Sequence, residues 1–179
     1  MARLFLAINL PDDICEELDA AATPSHALAW TPRQQLHLTL RFLGEVPREQ
    51  VGLLAAALAQ VRVEPFLLAL SGCGTFPPDA KAQVLWIGVG SGHPRLYQLR
   101  QRIDDSVLRH AIPADLRRFL PHVTLARLRN GHPASAFQPL LKRFASYESP
   151  PFLVQSFGLY ESELLPTGAV HRLIAVTSF

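Results

Sequence analysis

Residues 36–40, Leu-His-Leu-Thr-Leu (LHLTL), return far down the chain as residues 121–125, Pro-His-Val-Thr-Leu (PHVTL), so two of the seven histidines share the pattern His-x-Thr-Leu. Side chains alternate between the two faces of a β-strand. If each stretch is a strand, His37 and Thr39 share one face while Leu38 and Leu40 enter a core. His122 and Thr124 do the same against Val123 and Leu125.

Working outward, the elements around each motif come in the same order. Before His37 stand an apolar strand (LFLAINL, residues 4–10) and a helix opened by Pro11, Asp12 and Asp13, with a loop over residues 23–35. Gly44 closes the His37 strand; a helix from Pro47 and Glu49 and a strand over FLLALSGCGTF (residues 66–76) follow. From Val84 the order repeats: strand, helix with apolar spacing Leu96, Leu99, Ile103 and Val107, the His122 strand, a second helix, and a strand over FLVQSFGLYES (residues 152–162). The order predicts an internal duplication of about 85 residues. The expected fold is α+β, one duplicated bilobal domain spanning 1–179 with two antiparallel sheets flanked by helices around a central cleft. The pseudo-repeats would cover about 1–83 and 84–170, and a last strand, about 171–179, would return to the N-terminal lobe.

At 179 residues and 49% hydrophobic content the chain can bury one sizeable core. A net charge of +2 argues against a polybasic nucleic-acid tract, so an anionic partner should be met at a local site. Only Lys81 and Lys142 are lysine among 17 basic residues, leaving arginines suited to forked contacts with phosphate. Cys15 and Cys73 are isolated, the N-terminal apolar run is cut short by Asn9, Pro11, Asp12 and Asp13, and no stretch has the length of a membrane span. A monomeric, cytoplasmic protein without membrane association is expected.

Two lobes facing each other would bring two imidazoles and two hydroxyls into one small volume. Displacement at phosphorus needs a base for the attacking oxygen and an acid for the leaving one, and imidazole titrates near neutrality. Thr39 and Thr124 could donate to the non-bridging oxygens. No third ligand stands at useful spacing beside either His, so no metal or other cofactor is called for.

The stretches LHLTLRFLGEV, PHVTLAR and LYES, with the opening RLFLAINLP, resemble the two-histidine (2H) phosphoesterases, and more closely the bacterial and archaeal RNA 2′,3′-cyclic phosphodiesterases, also called 2′-5′ RNA ligases. The resemblance covers essentially the whole chain. It implies hydrolysis of a 2′,3′-cyclic phosphate, on an RNA 3′ end or a nucleotide, to the 2′-phosphate. It further implies that His37 protonates the departing 3′ oxygen, His122 activates water, and Thr39 and Thr124 hold the phosphate. An ATP-independent 2′-5′ ligase or phosphodiesterase and a non-catalytic RNA-end binding module are the alternatives. Neither lysine lies in the Lys-x-Asp-Gly context of enzymes that form a lysyl-nucleotide.

Phe42 and Arg127 each fall five residues beyond a motif histidine. That odd offset points away from the cleft on an ideal strand, so both are expected where the strand ends; there either could stack on a nucleobase, and Arg127 could reach phosphate. His171 stands where the resembling family often has tyrosine. His26, His93, His110 and His132 are expected to be solvated, and Trp30 and Trp86 to belong to core or cleft wall.

Overall fold

Along residues 37–40 and 122–125 the chain alternates between half-buried and fully buried positions, the pattern of a strand with one face on a core. The computed structural model describes residues 1–165 and 168–179. The elements run β1 (Ala2–Asn9), α1 (Asp12–Ala20), β2 (Leu28–Trp30), β3 (His37–Val46), α2 (Val51–Leu58), β4 (Phe66–Leu68), β5 (Cys73–Phe76), β6 (Val84–Gly88), α3 (Pro94–Leu108), β7 (His122–Leu128), α4 (Gln138–Phe144), β8 (Phe152–Val154), β9 (Ser156–Leu165) and β10 (Gly168–Ser178). The architecture is α+β with antiparallel strand pairing, as the pattern of elements predicts.

The main sheet has the order β10-β9-β1-β3-β7-β6-β5, with β2 also on β7; β4 and β8 form a separate ribbon. Its middle is a narrow seam, because β3 and β7 pair only at Leu38 and Val123. On each side of the seam the order is mirrored: β3, β1, β9 on one flank and β7, β6, β5 on the other. Strand β9 therefore joins β1, and β5 joins β6, so each flank contains a strand that lies across the expected repeat boundary at residues 83/84 from its neighbour. Strand β10 pairs with β9 at the N-terminal strand's end of the sheet.

Three expectations are corrected. The loop expected over residues 23–35 contains β2, three residues too short to show a periodicity, and a 3₁₀ turn at Arg33–Gln35. The strands expected over residues 66–76 and 152–162 are each divided in two, because the chain passes from the small ribbon into the main sheet within them. His93, expected to be solvated, caps α3: its Nδ1 accepts from the Arg95 amide at 3.1 Å, and its ring stacks on Phe66.

One face of the sheet packs on the helices. Leu38, Leu40, Val123 and Leu125 share a core with Ile14 and Leu18 of α1, Leu54 and Leu58 of α2, and Leu96, Leu99, Ile103 and Val107 of α3. Among the described residues no helix is long and apolar enough to cross a membrane.

Leu38 is 0% exposed and makes the single ladder pair joining the two flanks. Leu38→Ala should therefore cost about 2–5 kcal/mol in chemical denaturation, and an unchanged midpoint would contradict the seam's role.

Candidate active site

Extending the Leu38–Val123 pairing by one residue in each direction sets His37 opposite Thr124 and Thr39 opposite His122, all on the face away from the helices. The two histidines then occupy a diagonal, which in a regular ladder spans ~7–8 Å. Neither motif could form this arrangement alone.

Arg127 lies where a strand is ending, as expected, one residue before the end of β7, whereas Phe42 does not, and a bulge sets the facing of each. Strand β3 does not end near Phe42 but runs on to Val46. Thr39 pairs with Ala7 and Arg41 with Leu6, so Leu40 is an extra residue, a β-bulge that reverses the alternation. Phe42, opposite Phe5, therefore returns to the face of His37 and Thr39. The same device recurs in β7, where Trp86 pairs with Thr124 and Leu85 with Ala126, skipping Leu125, so that Arg127 rejoins the face of His122 and Thr124. Both side chains are open to solvent, Phe42 at 51% exposure.

Each catalytic candidate is held in one tautomer. His37 Nδ1 lies 2.7 Å from the Gln35 carbonyl and His122 Nδ1 lies 2.7 Å from the Leu120 carbonyl. A carbonyl only accepts, so Nδ1 carries the proton in both rings and Nε2 of the neutral ring is left with its lone pair. His37 Nε2 is 3.1 Å from Thr39 Oγ1, whose hydroxyl can donate to it. The Gln35 side chain donates to the Ala169 carbonyl at 2.7 Å, fixing this corner to β10.

Aromatic rings form the walls. Phe5, only 2% exposed yet outside the main core, touches His37 (5.1 Å between centroids), Phe42 (5.9 Å), Tyr160 (5.2 Å) and His171 (4.8 Å). His171 meets His37 edge-on at 5.5 Å, and its Nδ1 is buried without a hydrogen-bond partner among the described residues. Across the seam, Phe76 stands edge-on to His122 at 4.8 Å and Trp86 lies 6.2 Å from it, so Trp86 lines the cleft. Trp30 lies apart, its indole N–H on the Thr23 carbonyl. Two glycines admit these rings: a Cβ on Gly74 would stand 2.4 Å from Trp86, and one on Gly158 would stand 2.5 Å from Tyr160.

A cavity of about 540 Å³ opens beside His37, lined by Phe5, Asn9, Gln35, Tyr160 and His171 among others. The larger groove, about 720 Å³ between α2 and α3, shares no residue with the histidine site. Among the described residues no group of three or more His, Cys, Asp or Glu is placed to hold a metal ion.

Burial dominates the electrostatics. It pushes the His37 imidazole down to about 4; the Gln35 carbonyl pulls the other way, and the neighbouring charges of His171 and His122 add to the depression. His122 is lowered for the same first reason, opposed by the Leu120 carbonyl and assisted by the Arg127 charge. Both rings are thus neutral at neutral pH.

The sequence profile of the 2′-5′ RNA ligase superfamily matches residues 10–164. The chain belongs to that superfamily. Its relatives include the RNA 2′,3′-cyclic phosphodiesterase of Thermus thermophilus, 36% identical with 96% of this chain and 87% of that one aligned. That of Aeropyrum pernix is 31% identical over 79% of this chain and 80% of the other. Among solved structures, Escherichia coli LigT complexed with 3′-AMP superposes with a TM-score of 0.76 at 29% identity, covering 99% of this chain and 98% of that one.

The sequence pattern placed His37, Thr39, His122 and Thr124 on the site directly, and the structure brings Phe42 and Arg127 onto the same face. Phe5, Asn9 and Gln35 carry no signal in the sequence; Phe76 and Tyr160 carry only that of the repeat, since they follow their respective histidines at nearly equal distance.

A histidine whose folded pKa is depressed protonates first in the unfolded chain, so folding stability falls as pH drops from about 6.5 to about 4. Denaturation across that window should show the decline, and His37→Gln should make it shallower. An identical slope in the variant would contradict the burial of His37.

Proposed function

We infer that this chain is an RNA 2′,3′-cyclic phosphodiesterase, opening a terminal cyclic phosphate to the 2′-monoester with two histidines as acid and base. The observation that carries the inference is the seam register, which sets two tautomer-locked imidazoles on one diagonal of a single face. The names of the superfamily relatives support it, as do complexes of the similar Escherichia coli LigT with 3′-AMP, ATP and NADP+.

In the reaction as drawn, a cyclic phosphate binds between the histidines. His122, its Nε2 lone pair directed by the Nδ1–Leu120 hydrogen bond, takes a proton from water, and the water oxygen forms the new bond to phosphorus. The bond from phosphorus to the 3′ oxygen breaks, and that oxygen takes its proton from His37 Nε2. Burial keeps His37 neutral at neutral pH, so the bound phosphate anion must favour its protonated form, since an opposite charge nearby stabilises imidazolium. Acid capacity thereby arrives with the substrate. Thr39 and Thr124 donate to the non-bridging oxygens, and Phe42 and Arg127 flank the terminal base. No step passes through a metal.

A second reading uses the same site with a 5′-hydroxyl in place of water, giving a 2′-5′ linkage. The superfamily's own description favours keeping it, and an acceptor oligonucleotide bearing a 5′-hydroxyl distinguishes the two by product.

Incubation with a nucleoside 2′,3′-cyclic phosphate should yield the 2′-monoester with a bell-shaped pH profile, unaffected by EDTA. His37→Ala and His122→Ala should each lower kcat by about 10²–10⁴ with the fold retained. A 3′-monoester product, undiminished variants, or chelator-sensitive activity restored by zinc would contradict the mechanism. Phe42→Ala should act on KM, by about 1–3 kcal/mol of lost base stacking, and a change confined to kcat would exclude its stacking role.

A further inference from the structure

The bulge at Leu40 has a consequence on the opposite face of the sheet. By reversing the alternation, it turns Arg41 inward, where its side chain is 3% exposed among the helices. A bulge also leaves a backbone group without its ladder partner, and a buried carbonyl needs a donor. Arg100 of α3 supplies it, one guanidinium nitrogen donating to the Leu40 carbonyl.

These two arginines share two aspartates. Arg41 Nε lies 3.0 Å from Asp104 Oδ1, an ion pair outside hydrogen-bond alignment, and Arg41 Nη1 lies 3.1 Å from Asp115 Oδ2. Arg100 Nε donates to Asp104 Oδ2 at 2.7 Å, and Arg100 Nη2 reaches Asp115 Oδ2 at 3.4 Å. The positive and negative charges balance within the cluster, as burial requires. Its outer end grips residues 113–119: Arg41 also donates to the Pro113 carbonyl, the Arg100 guanidinium lies over the Phe119 ring at 5.1 Å, and Arg117 Nε donates to Asp115 Oδ1 at 2.8 Å. The next residue is Leu120, whose carbonyl holds His122 Nδ1.

We propose that Arg41, Arg100, Asp104 and Asp115 form one positioning unit that sets both halves of the active site against each other. At one end it fixes the β3 bulge, and hence where His37, Thr39 and Phe42 stand. At the other it fixes the segment whose last carbonyl selects the tautomer of His122. The four residues touch no substrate. Their catalytic effect rests on the two-histidine mechanism proposed above, but their effect on His122 does not.

The test is Asp115→Asn, which keeps the shape and removes the charge that both arginines share. Two quantities are measured. One is kcat and KM on a nucleoside 2′,3′-cyclic phosphate; the other is the ¹⁵N signature of the His122 ring, in the substrate-free protein at about pH 8, above the imidazole range. The expected result is a kcat lower by roughly 10- to 100-fold, the scale of a displaced catalytic group, with KM little changed and His122 present as a mixture of tautomers. A folded variant in which His122 keeps one Nδ1–H tautomer overturns the proposal, whether or not kcat has fallen. If Asp115→Asn does not fold, Arg41→Lys, which keeps the charge and gives up the fork, is judged by the same two measurements. Should the wild type leave the cyclic phosphate intact, the proposed function falls while the tautomer comparison still decides the role of the unit.

Discussion

The site depends on one ladder contact, Leu38 against Val123, at which the two flanks of the main sheet touch. A ladder has a fixed pleat, so a pair pointing into the core obliges its neighbours to point out of it. Because the strands are antiparallel, the outward neighbours are crossed, each histidine facing the other strand's threonine. Two copies of the motif on antiparallel strands thus set their imidazoles at opposite corners of one face. A parallel seam would have set His beside His and Thr beside Thr. The mirrored strand order on either side of the seam carries the same relation outward, with Tyr160 and Phe76 in corresponding places.

The paired bulges at Leu40 and Leu125 extend the site without lengthening the motif. Each shifts the alternation by one residue, so that a side chain that an unbroken strand would turn away from the cleft, Phe42 or Arg127, faces it. The cost falls on the other face, where the shifted position after Leu40 is an arginine. Ala126, at the matching place after Leu125, fits the core without partners. The charge cluster around Arg41 therefore reaches across from β3 to the segment that ends at Leu120 and leads into β7.

Burial gives the histidines their definition and also their limitation. Rings packed against Phe5, His171, Phe76 and Trp86 cannot tumble, and a carbonyl behind each one fixes the proton on Nδ1. The same packing disfavours imidazolium. The proposed mechanism needs an acid nonetheless, and there an anionic substrate would provide for one. His171 sharpens this balance, since its ring stands edge-on to His37 and contributes to keeping it neutral.

How much of this was legible in the sequence follows from what leaves a periodic trace. The repeated His-x-Thr-Leu and its alternation with buried apolar residues mark the strands, the core face and the four side chains that share the opposite face. The order of elements marked the α+β class. The bulges left no trace, since neither Leu40 nor Leu125 is a glycine or proline, and the Phe42 offset was accordingly credited to a strand ending. Strand β2 is too short to declare itself, and nothing in the sequence marks Arg41 as buried, because its partners lie far along the chain. The account as a whole is tested most directly by a structure with a nucleoside vanadate, which places a trigonal-bipyramidal centre where phosphorus would react. Both His37 Nε2 and His122 Nε2 should then lie within about 2.6–3.2 Å of the two apical oxygens, one each. A vanadate touched by one histidine alone, or by both on the same side, would contradict it.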